Sequence, residues 1–278
     1  MPLDPSCAGL TSSPHELKYG VRDVILYALG IGAKTDELDY LYEGRGPKVF
    51  PTFAVVPAYP AVLELLQKTG GNLAAMVHGA QTVRIERPLP AEGTLVTIGR
   101  IEGIYDMKRL VQVLCSTTTE LAGQVVCRTQ WQLLIREGAG FGGPHPPKLV
   151  TPSVPDGQAP SFEHEEPTAR EQALLYRLSG DANPLHADPE FAKAAGFAEG
   201  PILHGLATYG IVARAIVKHA CNGDATKLHT FTAQFRKPVW PGDAVRTVGY
   251  RVGDSVVVKA YAGGRPDPVV TSAHATVV

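Results

Sequence analysis

The stretch Tyr176-Arg-Leu-Ser-Gly-Asp-Ala-Asn-Pro-Leu-His-Ala-Asp-Pro-Glu-Phe-Ala192 sets a carboxylate (Asp181), a carboxamide (Asn183) and an imidazole (His186) within six positions. Pro184 stiffens the backbone between them. One carboxylate and one imidazole held at short range are what water activation or proton abstraction requires. Directly downstream, Pro201-Ile-Leu-His-Gly-Leu206 reads as a tight turn entering a helix, and such a turn can present a backbone N–H to a developing oxyanion. Taken alone, Asp-x-Asn-Pro has the composition of an Asx-turn or a helix N-cap, and a single histidine is as readily a satisfied core residue. Asp188, followed by Pro189, reads as the N-cap of the next helix.

Outward from this stretch the chain repeats itself. Residues 137–148 (Glu-Gly-Ala-Gly-Phe-Gly-Gly-Pro-His-Pro-Pro-Lys) continue to Pro155 and Pro160 and read as a surface linker that divides the 278 residues near the middle. Tyr27-Ala-Leu-Gly matches Tyr176-Arg-Leu-Ser at an offset of 149, and Pro51-Thr-Phe-Ala-Val-Val matches Pro201-Ile-Leu-His-Gly-Leu at 150. Val77-His78 matches Leu228-His229, and Pro90 matches Pro241, both at 151. Landmarks in one order at nearly constant offset mark two copies of one fold. The expected organisation is a first repeat over 1–137, a linker over 138–160 and a second repeat over 161–278.

Each copy carries a short helical segment with the tyrosine, then a helix (Tyr59–Lys68; Gly205–His219), then strand-like stretches. The first copy offers Gln81–Arg87, Thr94–Glu102, Arg109–Thr119 and Gln124–Ile135; the second offers Thr230–Arg236, Ala244–Val252, Ser255–Ala262 and Val269–Val278. Their period-two pattern fits antiparallel strands with one covered face. The expected class is α+β, a long helix wrapped by a curved antiparallel sheet in each copy. At the repeat offset Asp181 falls on Gly32, His186 falls near Glu37, and His204-Gly205 falls on Ala54-Val55. The first copy therefore lacks the acid/base pair and the glycine turn. One copy is expected to do chemistry and the other to shape a pocket. His78 and His229, at expected strand starts, read as structural.

Composition bounds the partners. A hydrophobic content of 44% allows one large core or two ordinary ones. The net charge of −1 gives no argument for nucleic acid or an anionic membrane surface. No apolar run approaches the ~20 residues of a membrane span. Met1-Pro-Leu-Asp-Pro-Ser-Cys-Ala has no basic region, so a secretory signal is not expected, and Ala275-Thr-Val-Val278 is not a peroxisomal address of the Ser-Lys-Leu kind. Cys7, Cys115, Cys127 and Cys221 lie far apart without Cys-x-x-Cys spacing, which leaves a zinc or redox motif unsupported and suits reduced thiols in the cytoplasm.

The residues from Tyr176 to Ala192 resemble the signature of the type 2 (R-specific) enoyl-CoA hydratases of the MaoC-like group. That signature is an aromatic residue, a short hydrophobic spacer, Ser-Gly-Asp-x-Asn-Pro-hydrophobic-His, five residues and a small one. Ala194-Ala-Gly-Phe197, Ile202-Leu-His-Gly-Leu206 and Phe235-Arg-Lys-Pro-Val-Trp-Pro-Gly-Asp243 also look like the family. The resemblance implies a double hot-dog fold with the signature only in the second repeat. It implies a hydro-lyase of fatty acid metabolism that reversibly hydrates trans-2-enoyl-CoA to (3R)-3-hydroxyacyl-CoA, with an acyl-CoA thioester as partner, no cofactor, no metal and a homodimer. It makes Asp181 and His186 the pair that holds a water, Asn183 the residue that fixes that water or its loop, and the Gly205 N–H the donor to the thioester oxygen.

Candidates for the rest of the pocket are less specific. His204 orients the turn or fills space. Arg236, Lys237, Lys108 and Arg109 are candidate contacts for the CoA phosphates, against the alternative of solvated surface charges. Phe53, Val55, Val56 and Tyr59 are candidate walls of an acyl tunnel, against the alternative of ordinary core. Other enzyme readings are a dehydratase of acyl-carrier-protein or specialised CoA thioesters, and a hot-dog thioesterase. The non-enzyme alternative is an acyl-CoA binder.

Overall fold

The computed structural model describes residues 3–72 and 76–277. The first half runs β1 (His15–Tyr19), α1 (Val21–Gly30), α2 (Leu38–Leu41), α3 (Val55–Thr69), β2 (Met76–Ile85), β3 (Gly93–Asp106), β4 (Val111–Leu121) and β5 (Gln124–Ile135). The second runs β6 (Phe162–Pro167), α4 (Gln172–Tyr176), α5 (Pro189–Ala194), α6 (Gly205–Ala220), β7 (Leu228–Phe235), β8 (Ala244–Val252), β9 (Ser255–Ala262) and β10 (Val270–Val277). Val278, the expected last residue of the final strand, and Met1 and Pro2 of the expected N-terminal segment lie outside the described residues.

Among the described residues ten strands form one antiparallel sheet in the order β1-β3-β4-β5-β2-β7-β10-β9-β8-β6. The order is a mirror of itself about the β2–β7 seam, each strand standing as far from the seam as its repeat partner. At the seam Thr82 pairs with Thr232, 150 residues on, and their hydroxyls are hydrogen-bonded at 3.0 Å. Each half-sheet curls around its own long helix: α3 lies against β3 and β4, and α6 against β7, β8 and β9. This is the α+β double hot-dog that the sequence leads one to expect.

The helices differ in what their sequences show. Nearly every residue of α6 from Leu206 to Val217 is buried, as expected for a helix apolar on all sides. Gly210 lets α6 touch the first half: a Cβ there would stand 2.2 Å from Ile31 Cγ2. α3 starts a turn before the expected Tyr59, directly after a 3₁₀ turn over Pro51–Ala54. Pro57 and Pro60 hide that start in the sequence, because proline reads as a breaker. Pro57 falls where the helical N–H has no partner anyway, so only Pro60 forfeits a hydrogen bond. The chain leaves α3 through Gly70 at φ +76°, a left-handed cap.

β1 and β6 were not among the expected strands. His-Glu-Leu-Lys-Tyr and Phe-Glu-His-Glu-Glu-Pro are short and charged because they are the two sheet edges, where charge discourages pairing with other chains. Residues 138–160 carry no helix or strand. They are tied to the fold at both ends: Gly140 and Gly142 N–H groups donate to Asp106 Oδ2 (2.8 and 2.7 Å), and the Gln158 amide donates to the Arg251 carbonyl at 2.9 Å.

The halves also interlock beside the seam. The Gln172 amide donates to the carbonyls of Leu29 (2.9 Å) and Gly30 (2.7 Å), joining α4 to α1. Arg214 on α6, 3% exposed, pairs with Glu166 at 2.6 Å and with Glu37, and donates to the Ile31 carbonyl at 3.1 Å. Sequence reading gave no warning of this buried triad.

Candidate active site

The signature segment builds a rigid loop between α4 and α5. Gly180 has φ +120°, a conformation open to glycine alone, and it turns Asp181 out of the preceding 3₁₀ turn. Asn183 Oδ1 accepts the Leu185 N–H at 3.0 Å and so caps the 3₁₀ turn Pro184–His186. Asp188 caps α5, accepting the N–H groups of Glu190 and Phe191, with Pro189 in the first turn as expected. The loop thus spends its polar side chains on its own backbone, and Asp181 and His186 are left to face inward.

His186 is 8% exposed, and its Nδ1–H donates to the Ile202 carbonyl at 2.8 Å. That bond assigns the tautomer and leaves Nε2 with a free lone pair. Burial pushes the His186 pKa down, opposed by the Ile202 carbonyl and by Asp181, so the ring is neutral at pH 7. His204 lies directly behind it, the two rings stacked at 3.7 Å and 26°. The His204 Nε2–H donates to the main-chain carbonyl of Asp181 at 3.1 Å, and its pKa is driven down by burial and then by His186. His204 therefore supports the loop from behind and is absent from the cavity wall.

Asp181 and His186 line a cavity of about 280 Å³ between the halves. Asp181 Oδ1 accepts two hydrogen bonds, from the Asn183 N–H at 3.2 Å and from the Tyr59 hydroxyl at 3.1 Å. Tyr59 belongs to α3, so the first half reaches into the site. Gly205, the first residue of α6, is also on the wall. First-turn N–H groups have no partner within a helix and sit at its positive end. A Cβ at Gly205 would stand 3.7 Å from the Phe235 ring, on the cavity side. Its backbone angles suit any residue, so what the glycine contributes is open space on the wall.

A carboxylate oxygen of Asp181 and one ring nitrogen each of His186 and His204 all lie within 4.8 Å of one another. Two hydrogen bonds of ~2.8 Å meeting tetrahedrally on one water span about 4.6 Å, a separation within the 4.8 Å bound on this group. Among the described residues this is also the one group of three candidate metal ligands. Stacked rings direct their in-plane lone pairs along near-parallel planes, which does not converge two nitrogens on one ion.

Several residues stand elsewhere than the sequence suggested. Phe53 and Val55, each 1% exposed, are core and do not line the cavity; Phe53 packs between Tyr19 and Tyr27. The apolar wall comes instead from Val62, Leu66, Met76 and Leu133. Lys108 and Arg109, candidates on charge alone, sit exposed in the β3–β4 turn, off the wall; Arg109 reads in sequence as the start of a strand, whereas β4 begins at Val111. Arg236 and Lys237 do line it, the first bonded to Thr271 Oγ1 (3.0 Å) and the second 3.6 Å from Asp267.

Two titratable lining residues escaped sequence reading. Arg136 adds a third cation to the wall. His78, read as structural, stacks on Trp131 (5.1 Å, 11°), meets Phe235 edge-on and faces the cavity, whereas its repeat partner His229 is exposed. Burial takes the His78 pKa down to about 4. The available signal was Gly79: it marks the β2 bulge between His78 and Ala80 that re-aims the ring.

Comparisons with known proteins bear on the family and the fold. Residues 17–137 match the MFE-2 hydratase 2 N-terminal domain and residues 153–270 match the MaoC like domain. The chain is 40% identical over 262 residues to 3-hydroxyacyl-thioester dehydratase Y of Mycobacterium tuberculosis, covering 90% of this chain and 88% of that one. It is 36% identical over 261 residues to the peroxisomal enoyl-CoA hydratase 2 of Arabidopsis thaliana, covering 86% and 84%. The crystal structure of a MaoC-like dehydratase from Phytophthora capsici superposes with a TM-score of 0.88 at 29% identity, over 100% of this chain and 98% of that one.

Proposed function

The chain belongs to the MaoC-like hydratase 2 family, and from that premise we propose that it is a hydro-lyase converting trans-2-enoyl-CoA reversibly to (3R)-3-hydroxyacyl-CoA. The observation that carries the reading is the pairing, on one cavity wall, of Asp181 with a His186 whose Nδ1 is tied to a carbonyl. That tie leaves two acceptors, a carboxylate oxygen and His186 Nε2, for the two hydrogens of one water. The water oxygen then has a lone pair to add to C3.

Addition at C3 moves charge to the thioester oxygen as an enolate. The Gly205 N–H, at the N-terminus of the 16-residue α6, is the donor for that charge. One such donor is worth ~2.7–4 kcal/mol in acyl-transfer sites. The proton taken from water is held by the Asp181–His186 pair and returned to C2. The two groups act as one coupled acid–base unit. No atom is left over: OH adds at C3 and H at C2, and the reverse sequence dehydrates.

In this reading residues 161–278 carry the chemistry and residues 1–137 shape the pocket, joined through 138–160. The acyl chain runs along Val62, Leu66, Met76 and Leu133, while Arg236, Lys237 and Arg136 receive the CoA phosphates. The four cysteines are free and buried, which supports a reducing compartment, the cytoplasm. Among the described residues no helix is long and apolar enough to cross a membrane. A homodimer belongs to the same proposal and is checked by light scattering.

Crotonyl-CoA and a longer enoyl-CoA test the activity. The expected result is loss of the conjugated enoyl absorbance without release of free thiol, and a product oxidised only by an R-specific dehydrogenase. Thiol release would make the protein a thioesterase. Binding with neither signal would make it an acyl-CoA carrier.

A further inference from the structure

We propose that Tyr59, supplied by the first repeat, is a positioning residue that holds the Asp181 carboxylate in its working orientation; this rests on the hydratase reading of the site. A carboxylate has two equivalent oxygens and rotates unless one of them is held. Here Oδ1 is held twice, by the Tyr59 hydroxyl and the Asn183 N–H. The Asn183 bond is local and turns with the loop. The Tyr59 bond comes from the other repeat, 122 residues away in sequence, and references Oδ1 to the wall opposite. Oδ2 is thereby the oxygen presented to the water beside His186 Nε2.

Tyr59 is itself well fixed. Its ring packs at 6.4 Å on Trp131, whose indole N–H donates to Thr129 Oγ1 at 2.6 Å and whose face carries His78. Burial, with Asp181 nearby, raises the phenol pKa, so the hydroxyl stays a donor throughout the working range.

The repeat supplies an internal comparison. At the same helix position, 150 residues on, Tyr209 points its hydroxyl at the Phe231 carbonyl, 2.5 Å away. Around Tyr209 the loop residue equivalent to Asp181 is Gly32, and the tyrosine serves the sheet. Around Tyr59 the carboxylate is present, and the tyrosine serves it.

The test is Tyr59→Phe in the full chain, which keeps the ring and removes only the hydroxyl. A hydrogen bond to a charged group is worth about 1.5–3 kcal/mol, so kcat should fall ~10-fold or more with KM nearly unchanged. The affinity for a saturated acyl-CoA, read by calorimetry, should stay at the parent value, since the hydroxyl serves the carboxylate and not the ligand. Incorporating 3-fluorotyrosine at position 59 keeps the donor and should keep kcat near the parent value. In an Asp181→Asn background, Tyr59→Phe should cost nothing further. An unchanged kcat in Tyr59→Phe, or a loss confined to KM, would overturn the proposal while leaving the hydratase reading intact. Absence of hydration by the unmodified protein would instead overturn that reading first.

Discussion

The two repeats contain the same place built in opposite ways. In the second, the loop after α4 offers Asp181 and His186 to a cavity, and α6 begins with a glycine whose missing side chain leaves room for a ligand. In the first, the loop after α1 offers Gly32 and Glu37, and α3 begins with Val55, 1% exposed. A Cβ on Gly32 would stand 3.3 Å from the guanidinium of Arg214, which occupies this place and pairs with Glu37 and Glu166. Both places half-bury a carboxylate, Asp181 in one and Glu37 in the other. One leaves an oxygen free for water; the other saturates its carboxylates with an arginine. Charge that is satisfied builds structure, and charge left partly unsatisfied beside a cavity builds chemistry.

The largest effect should come from the open place. Asp181→Asn and His186→Gln should each lower kcat by ~10²–10⁴-fold while thermal unfolding stays within a few degrees of the parent. Activity near the parent level in either variant would remove the pair from the mechanism. The closed place should show the converse. Arg214→Ala strands two carboxylates and should lower stability by about 3–5 kcal/mol, read by denaturant titration, or ~10 °C in Tm. Below its melting range the same variant should keep its kcat. A large loss of kcat with normal stability would mean the triad serves catalysis and the contrast is false.

A third variant tests the helix start. Gly205→Ala adds a methyl on the cavity side, 3.7 Å from Phe235, without backbone strain. It should lower kcat/KM by ~10²-fold by displacing the thioester from the N–H, with Tm unchanged. Full activity would place the thioester elsewhere.

The smallest effect is in pH. The pKa values of His186 and His78 are depressed in the folded protein, that of His78 to about 4. The unfolded chain binds the extra protons, so the stability these rings confer is complete above pH ~6.5 and is lost as pH falls from there towards 4. Denaturant midpoints should be flat above pH ~6.5 and decline below it, and His78→Gln should flatten the decline by an amount of the order of 2 kcal/mol. An identical decline in that variant would assign it to carboxylates alone.

Much of this contrast is legible in the sequence, and the reason is local. The ends read in the sequence for Gln124–Ile135, Ala244–Val252 and Ser255–Ala262 coincide with those of β5, β8 and β9, because turn residues such as Gly123, Asp243 and Gly253 bound these apolar stretches. Asp181, Asn183 and His186 act through a turn whose bonds span two or three residues, and Asp188 caps its own helix. What stays hidden is long-range. The Tyr59–Asp181 bond, the turn of His78 into the cavity and the Arg214 triad each depend on how one half docks on the other. Phe53 and Val55 looked like tunnel walls because core and tunnel residues are alike in composition, and only packing separates them. Lys108 and Arg109 show the same for cations: charge in the sequence does not say whether a side chain reaches the pocket.

If Asp181 and His186 drive water onto C3 of an unsaturated thioester, the attacked atom carries the water's oxygen. Turnover of an enoyl-CoA in ¹⁸O-labelled water, followed by mass spectrometry of the product, reads that atom directly. One heavy oxygen is expected at C3 of an intact CoA thioester, and none in Asp181→Asn. Heavy oxygen in a free carboxylate, or label at C3 that persists in that variant, would remove the pair from the reaction.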